Sequence, residues 1–324
     1  MSLAGTSLSF PNRYNYANVN RIAASAFSSN KTITTLNIGN NIAFIERNAF
    51  YNCTNLTNVN FASDSCLRYI EEKAFSGCGF TQINLPSSIE DIKDRAFRGS
   101  KLTSLELPEG LISITGLGAF ENSLNLRTLT IPVSLTNIGN QSFAKCTSLT
   151  SVLFKSGSKL KTVDKNAFNG CSKLSNISFP SQVTSIGDNA FRACNSLNSV
   201  QFSNSIQTIG NYAFYKCSLR SLSLPSSLKT IGNYAFEQQD GAFSSTADLY
   251  IPEGVTSIGS HAIPNLPANN IIIASSVTTI GELAFNGSGK NVRVRGKSTR
   301  PSGWHENWAG YSSDSARILW NTNW

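Results

Sequence analysis

A phenylalanine, nearly always preceded by alanine, recurs at Phe27, Phe50, Phe75, Phe97, Phe120, Phe143, Phe168, Phe191, Phe214, Phe236 and Phe285, with Ile263 in the same place. Successive anchors lie 22 to 27 residues apart. The same frame surrounds most of them: an isoleucine upstream, a cysteine or small polar residue three positions on, a leucine, and then an apolar-x-apolar triplet. A unit this short cannot enclose a core of its own. It is one coil, stable only when its apolar side meets the same side of its neighbours. The chain of 324 residues is therefore expected to stack about twelve coils instead of folding around one centre.

Within a coil the triplets read as short strands, among them Leu36-Asn37-Ile38, Ile83-Asn84-Leu85, Leu105-Glu106-Leu107, Leu129-Thr130-Ile131, Leu222-Ser223-Leu224 and Leu249-Tyr250-Ile251. Alternation points their first and third residues inward and the middle one outward. Pro86, Pro108, Pro132, Pro180, Pro225 and Pro252 follow directly and end the strand, because proline cannot donate to a ladder. Gly139, Gly187, Gly210, Gly232, Gly259 and Gly281 recur further on and are expected to supply a positive φ. The Ala-Phe segment is expected to close the coil as one helical or 3-10 turn. A repeat of this length carrying such a strand predicts a leucine-rich repeat solenoid, a right-handed, β-dominated superhelix. Its expected extent is 22–294. Residues 1–21 form a lead or degenerate repeat, in which Leu8-Ser9-Phe10-Pro11 reads as one more strand and its proline, or else the array begins partway into a longer one. Residues 295–324 form a tryptophan-bearing cap with Trp304, Trp308 and Trp320, and Trp324 is undecided.

The stretches Ile209-Gly-Asn-Tyr-Ala-Phe-Tyr-Lys-Cys217 and Ile186-Gly-Asp-Asn-Ala-Phe-Arg-Ala-Cys194 resemble the BspA-like leucine-rich repeat family. The resemblance runs through nearly all of 22–294. It implies a cell-surface or secreted adhesion protein that attaches to host or matrix proteins.

The six cysteines Cys53, Cys78, Cys146, Cys171, Cys194 and Cys217 each fall three residues after an anchor, so they occupy one column. Side chains in a column run parallel, whereas a disulfide needs converging Cβ atoms; free, packed thiols are expected. Cys66, off the column, is the reactive candidate. Catalysis is not expected. His261 sits at a turn position that other coils fill with Asn48, Lys73, Arg95, Gln141, Asn166 or Tyr212, and His305 sits between cap tryptophans. No phosphate loop or paired carboxylates emerge, and no metal or cofactor is called for. The opening Met1-Ser-Leu-Ala-Gly-Thr6 lacks the basic and apolar regions of a signal peptide, which fits either a cytosolic chain or a trimmed piece of a secreted one.

The expected ligand surface is the concave face, whose outward column includes Glu106, Thr130, Leu153, Gln201, Tyr250, Ile272 and Arg293. Leu153, Tyr250 and Ile272 are apolar where alternation predicts solvent, which suits a protein contact. The insertion Gln238–Ser244 is expected to protrude. Much of the net charge of +8 is local: Lys290, Arg293, Arg295, Lys297 and Arg300 fall within eleven residues. That cluster would suit a glycan or other polyanion. Nucleic acid is not expected, because no aromatics are interleaved to stack bases. No stretch is long and apolar enough to insert in a membrane. The chain thus reads as a non-enzymatic, macromolecule-binding solenoid. A structural spacer and an intracellular interaction scaffold are the alternatives.

Overall fold

The computed structural model describes residues 2–4, 6–10, 13–14, 17–239, 242–310 and 317–321. Pro11, Asp240, Gly241 and Trp324 lie outside the described residues. The chain divides into two compact units, Met1–Leu160 and Lys161–Trp324.

Both units are built from parallel ladders, one rung per coil. In the first, Ser7–Phe10 pairs with Thr35–Ile38, which pairs with Asn58–Phe61. The register Leu8↔Leu36↔Val59 keeps like residues over like. The N-terminal segment is thus a strand of the same ladder, with Ser2–Ala4 antiparallel on it. Further on, Ser104–Glu106, Thr128–Ile131 and Ser151–Phe154 stack in register. In the second unit, Leu249–Ile251, Asn270–Ile273, Asn291–Val294 and Arg317–Trp320 form a four-stranded parallel sheet. A second ladder of two-residue strands runs Thr162–Val163, Ser185–Ile186, Thr208–Ile209, Thr230–Ile231, Ser257–Ile258 and Thr279–Ile280.

The anchors form the core. Phe50, Phe75, Phe97, Phe120 and Phe143 are wholly buried in the first unit, as are Phe168, Phe191, Phe214 and Phe236 in the second. Their rings stack almost flat. Phe97 and Phe120 lie 5.0 Å apart at 2°, and Phe191 and Phe214 lie 5.3 Å apart at 2°. The coil rise sets that spacing, since neighbouring strands lie about 4.8 Å apart.

Three expectations are corrected. The Ala-Phe segment is not helical: the described residues contain no helix. Its amides alternate between two partners. Phe50 N donates to Ala74 O of the next coil at 2.8 Å, whereas Tyr51 N donates back to Asn48 O at 3.0 Å. A helix would turn every amide inward along its own axis and leave the coil without this inter-coil ladder. The recurring glycines do not have positive φ. At Gly139 a Cβ would lie 2.0 Å from Ile114 O, and at Gly210 it would lie 2.6 Å from Asp188 N. These positions take glycine because adjacent coils touch there. The left-handed conformation falls instead on the residue before the alanine, including Asn48, Tyr212 and His261 (φ 56°, 55° and 51°).

Finally, Ile83–Leu85 and Leu222–Leu224 are not strands. In the first case Phe80 fills an inward position that other coils give to leucine, and it packs edge-on to Phe75 and Phe97. In the second, a cavity of about 280 Å³ lies against Leu222–Leu224 and Leu249–Tyr250, after the insertion that precedes Leu249.

The cap continues the coils. Trp304 bridges Ile280 in parallel, Leu283 N donates to Asn307 O, and Phe285 N donates to Trp308 O. Trp304 and Trp308 are buried and meet edge-on at 4.8 Å, with Trp320 5.9 Å from Trp304. The Trp304 indole donates to Val277 O.

Candidate ligand-binding face

The cysteine column has a chemical role that the sequence did not disclose. Five of these thiols donate to the carbonyl of the anchor one coil back, among them Cys53 to Phe27 O (3.0 Å), Cys78 to Phe50 O (3.1 Å) and Cys217 to Phe191 O (3.2 Å). Ser288 does the same to Ile263 O at 2.6 Å. Where this column lacks a donor of that size, Gln238 takes over and donates Nε2 to Phe214 O at 3.2 Å. A donor recurs at this place, and sulfur is one choice among several. All seven cysteines are free, and Cys66 alone is exposed. Burial pushes the Cys146 thiol up to about 12 and raises those of Cys78, Cys194 and Cys217 strongly.

Gln238 also explains why the insertion does not protrude as a whole. Its Oε1 accepts from Leu219 N, while Phe243 is buried and Ser244 N donates to Arg220 O. Phe243 is a large apolar side chain, and burying it folds that part of the segment back onto the coil.

The outward column separates into distinct neighbourhoods. In the first unit Glu106, Thr130 and Leu153 are side by side on three adjacent strands. Lys155 bridges Glu106 and Glu109 at 2.7 and 2.9 Å, holding Glu109 below the usual carboxylate range. Leu153 is 56% exposed. Towards the N-terminus the column is an amide ladder, with Asn60 Nδ2 donating to Asn37 Oδ1 at 2.9 Å and Asn37 Nδ2 to Ser9 Oγ at 3.2 Å. In the second unit Gln201 is exposed and accepts from Ser178 on its paired strand.

Tyr250, Ile272 and Arg293 are aligned on neighbouring strands. Tyr250 is 57% exposed, as alternation predicts. Ile272 is not: it is 6% exposed. It faces outward, but the larger side chains on either side shelter it, so it is the floor of a cavity and not a free apolar surface. That cavity, about 220 Å³, is lined by Asp248, Tyr250, Asn270, Ile272, Arg293 and Arg295. Asp248 Oδ1 accepts from Asn270 N (3.0 Å) and Nδ2 (2.8 Å), and Arg293 Nε donates to Asn270 Oδ1 at 3.0 Å. Arg295 Nε is buried without a hydrogen-bond partner among the described residues.

The residues of the basic cluster have different surroundings. Lys290 is exposed, Lys297 is half-buried, and Arg300 is tied to Trp304 O at 2.6 Å. Arg293 and Arg295 line one cavity.

His261 is no isolated surface histidine. It stacks on Tyr234 at 4.7 Å and 4°, and Tyr234 stacks on Tyr212 at 4.8 Å and 5°. Arg192 lies over Tyr212 and Tyr215. Beside them, burial raises the Glu237 carboxyl above its ordinary range, and its Oε2 has no hydrogen-bond partner among the described residues. The signal was available in the column of residues that precede the alanine, which reads Tyr, Tyr, His in consecutive coils. Among the described residues no group of three or more His, Cys, Asp or Glu could hold a metal ion, and no helix is long and apolar enough to cross a membrane.

Residues 6–79, 68–174 and 161–292 match the pattern of the BspA type leucine rich repeat region, and the chain belongs to that family. No curated protein matches it significantly. In fold it is similar to a leucine-rich repeat protein of Bacteroides ovatus, with 20% identity, a TM-score of 0.63 and coverage of 97% of this chain and 82% of that one. A leucine rich cell surface protein of Faecalibacterium prausnitzii aligns at 20% identity and a TM-score of 0.46, over 98% of this chain and 88% of its own. A leucine rich repeat protein of T. pallidum aligns at 24% identity and a TM-score of 0.47, over 52% and 78%.

Proposed function

We propose that this member of the BspA-type family is a non-enzymatic recognition array, secreted or held at the cell surface, that engages a host or matrix protein through outward strand residues of its second unit. The family's repeat solenoids commonly mediate protein interaction, and the family resemblance supports the surface location. The observation that carries the reading is Tyr250. It is a large side chain, 57% exposed, on a rigid strand, with a cavity on each side. Exposed aromatic residues on preorganised frames are the groups that dominate contact energies. Regular neighbours fix its position, so it loses little freedom on binding.

The test is capture of extracellular matrix and cell-surface proteins on the immobilised chain, in parallel with a Tyr250→Ser chain. A protein retained by the parent in high salt and lost by the variant, at equal thermal stability, supports the reading. Capture of nothing by the parent favours a spacer array.

A further inference from the structure

We infer that the cavity beside Tyr250 binds a carboxylate-bearing sugar, and that the partner is recognised through such acidic sugars. This rests on the recognition reading above and names the chemistry of the same site. Its size comes first. A cavity of about 220 Å³ is small for a drug-sized ligand and suits a single ring. Its walls are of three kinds. Tyr250 offers an exposed aromatic face, against which the C–H side of a sugar ring packs. Ile272 forms a dry floor at 6% exposure. The rest is polar: Arg293 and Arg295 at one strand, Asn270 on the next and Asp248 beside the one after.

The polar groups are arranged before any ligand arrives. Asp248 is held by two bonds from Asn270, and Asn270 in turn receives Arg293 Nε. Arg295 stands apart from this chain. Its Nε is buried and unpaired among the described residues. Its guanidinium lines the cavity, and a carboxylate is the group that a guanidinium fork fits best. Among the described residues of the lining, two cations stand beside one carboxylate. The presence of Asp248 then argues against a plain carboxylate such as an acidic side chain, which would bring no donor for it. A sugar acid brings both a carboxylate for the arginines and hydroxyl donors for Asp248.

The experiment is saturation-transfer NMR and fluorescence titration of the full chain with three probes: a sialic-acid-terminated trisaccharide, its neutral desialylated disaccharide, and a glutamate-rich peptide. The expected result is binding of the acidic trisaccharide, with saturation at the ring protons, and a weakening of at least about tenfold in both Arg295→Gln and Tyr250→Ser, the scale of a hydrogen bond to a charged group. Thermal unfolding of the variants should match the parent, and Arg300→Gln should bind as the parent does. Equal binding of the neutral and acidic sugars, stronger binding of the peptide, or an Arg295→Gln chain that binds as before would overturn the inference. A glucuronate-terminated disaccharide separates sources of the carboxylate: binding of either acid supports the site, and binding of neither overturns it. One further arm keeps the two readings apart. If a captured matrix protein is still held after its acidic sugars are enzymatically removed, yet is lost by Tyr250→Ser, the recognition reading stands and the sugar inference falls.

Discussion

The strip Glu106, Thr130, Leu153 of the first unit and the strip Tyr250, Ile272, Arg293 of the second are set on the same frame: three parallel strands in register. Their outward chemistry differs. In the first strip the charged groups are already paired with one another, because Lys155 closes on Glu106 and Glu109. The apolar residue there, Leu153, is 56% exposed. In the second the aromatic residue flanks two cavities, and one guanidinium nitrogen has no acceptor among the described residues. One backbone thus supports a satisfied surface and an unsatisfied one, and the side chains two residues along the strands, Lys155 in the first and Asp248 and Arg295 in the second, decide which. Recognition is argued from the unsatisfied one.

The comparison requires that the scaffolds themselves be equivalent. Phe97→Ala and Phe191→Ala should therefore cost about the same, about 3–5 kcal/mol each, since both rings are wholly buried between stacked neighbours. Denaturant unfolding would measure it. A large difference between the two would place the contrast in the core and not on the face.

Next in size is the outward change. Tyr250→Ser should lower capture of a partner by about tenfold or more, while Leu153→Ser leaves it unchanged, and neither should shift stability beyond about 0.5 kcal/mol. Loss of capture in both variants would make the two strips one surface.

The donor column is common to both units, and it should respond alike in both. Replacing Cys78 or Cys217 by alanine should cost about 1–3 kcal/mol, because it leaves an anchor carbonyl unsatisfied as well as a void. Replacement by serine should cost less, as Ser288 already serves in that role. In the native chain a thiol reagent should modify Cys66 promptly and the six column thiols only after unfolding.

The smallest effect is expected at Glu237. Burial raises its folded pKa, so the fold favours the protonated acid. The stability this contributes is complete below the ordinary carboxylate pKa and is lost as pH rises through the raised value. Glu237→Gln should accordingly raise the melting temperature near pH 7, with the gain vanishing by about pH 4. A gain that persisted in acid would mean that charge is not the cause.

Much of this could be read from spacing. The anchors, the inward faces of most strands and the free thiols all follow from a period and an alternation. Ile272 shows where that reasoning stops. Alternation predicts the direction of a side chain but not what its neighbours cover, and Tyr250 and Arg293 cover it. The glycines show a second limit: their period was plain, but the cause was an approach between coils, which a single repeat does not reveal. Arg295 shows a third. It was read as one charge in a basic run, and only the strand register places it in a cavity with Asp248, two coils away.

The thiol column has a consequence for how the environment acts on this chain. A cysteine reacts with oxidants as its exposed thiolate, and here six of seven are buried, each donating into the stack where the bond is resolved, with pKa values raised wherever a shift is resolved. They are redox-silent. The folded chain would be chemically the same in an oxidising medium and in a reducing one, save at Cys66, so its cysteine content bears no imprint of the compartment in which it works.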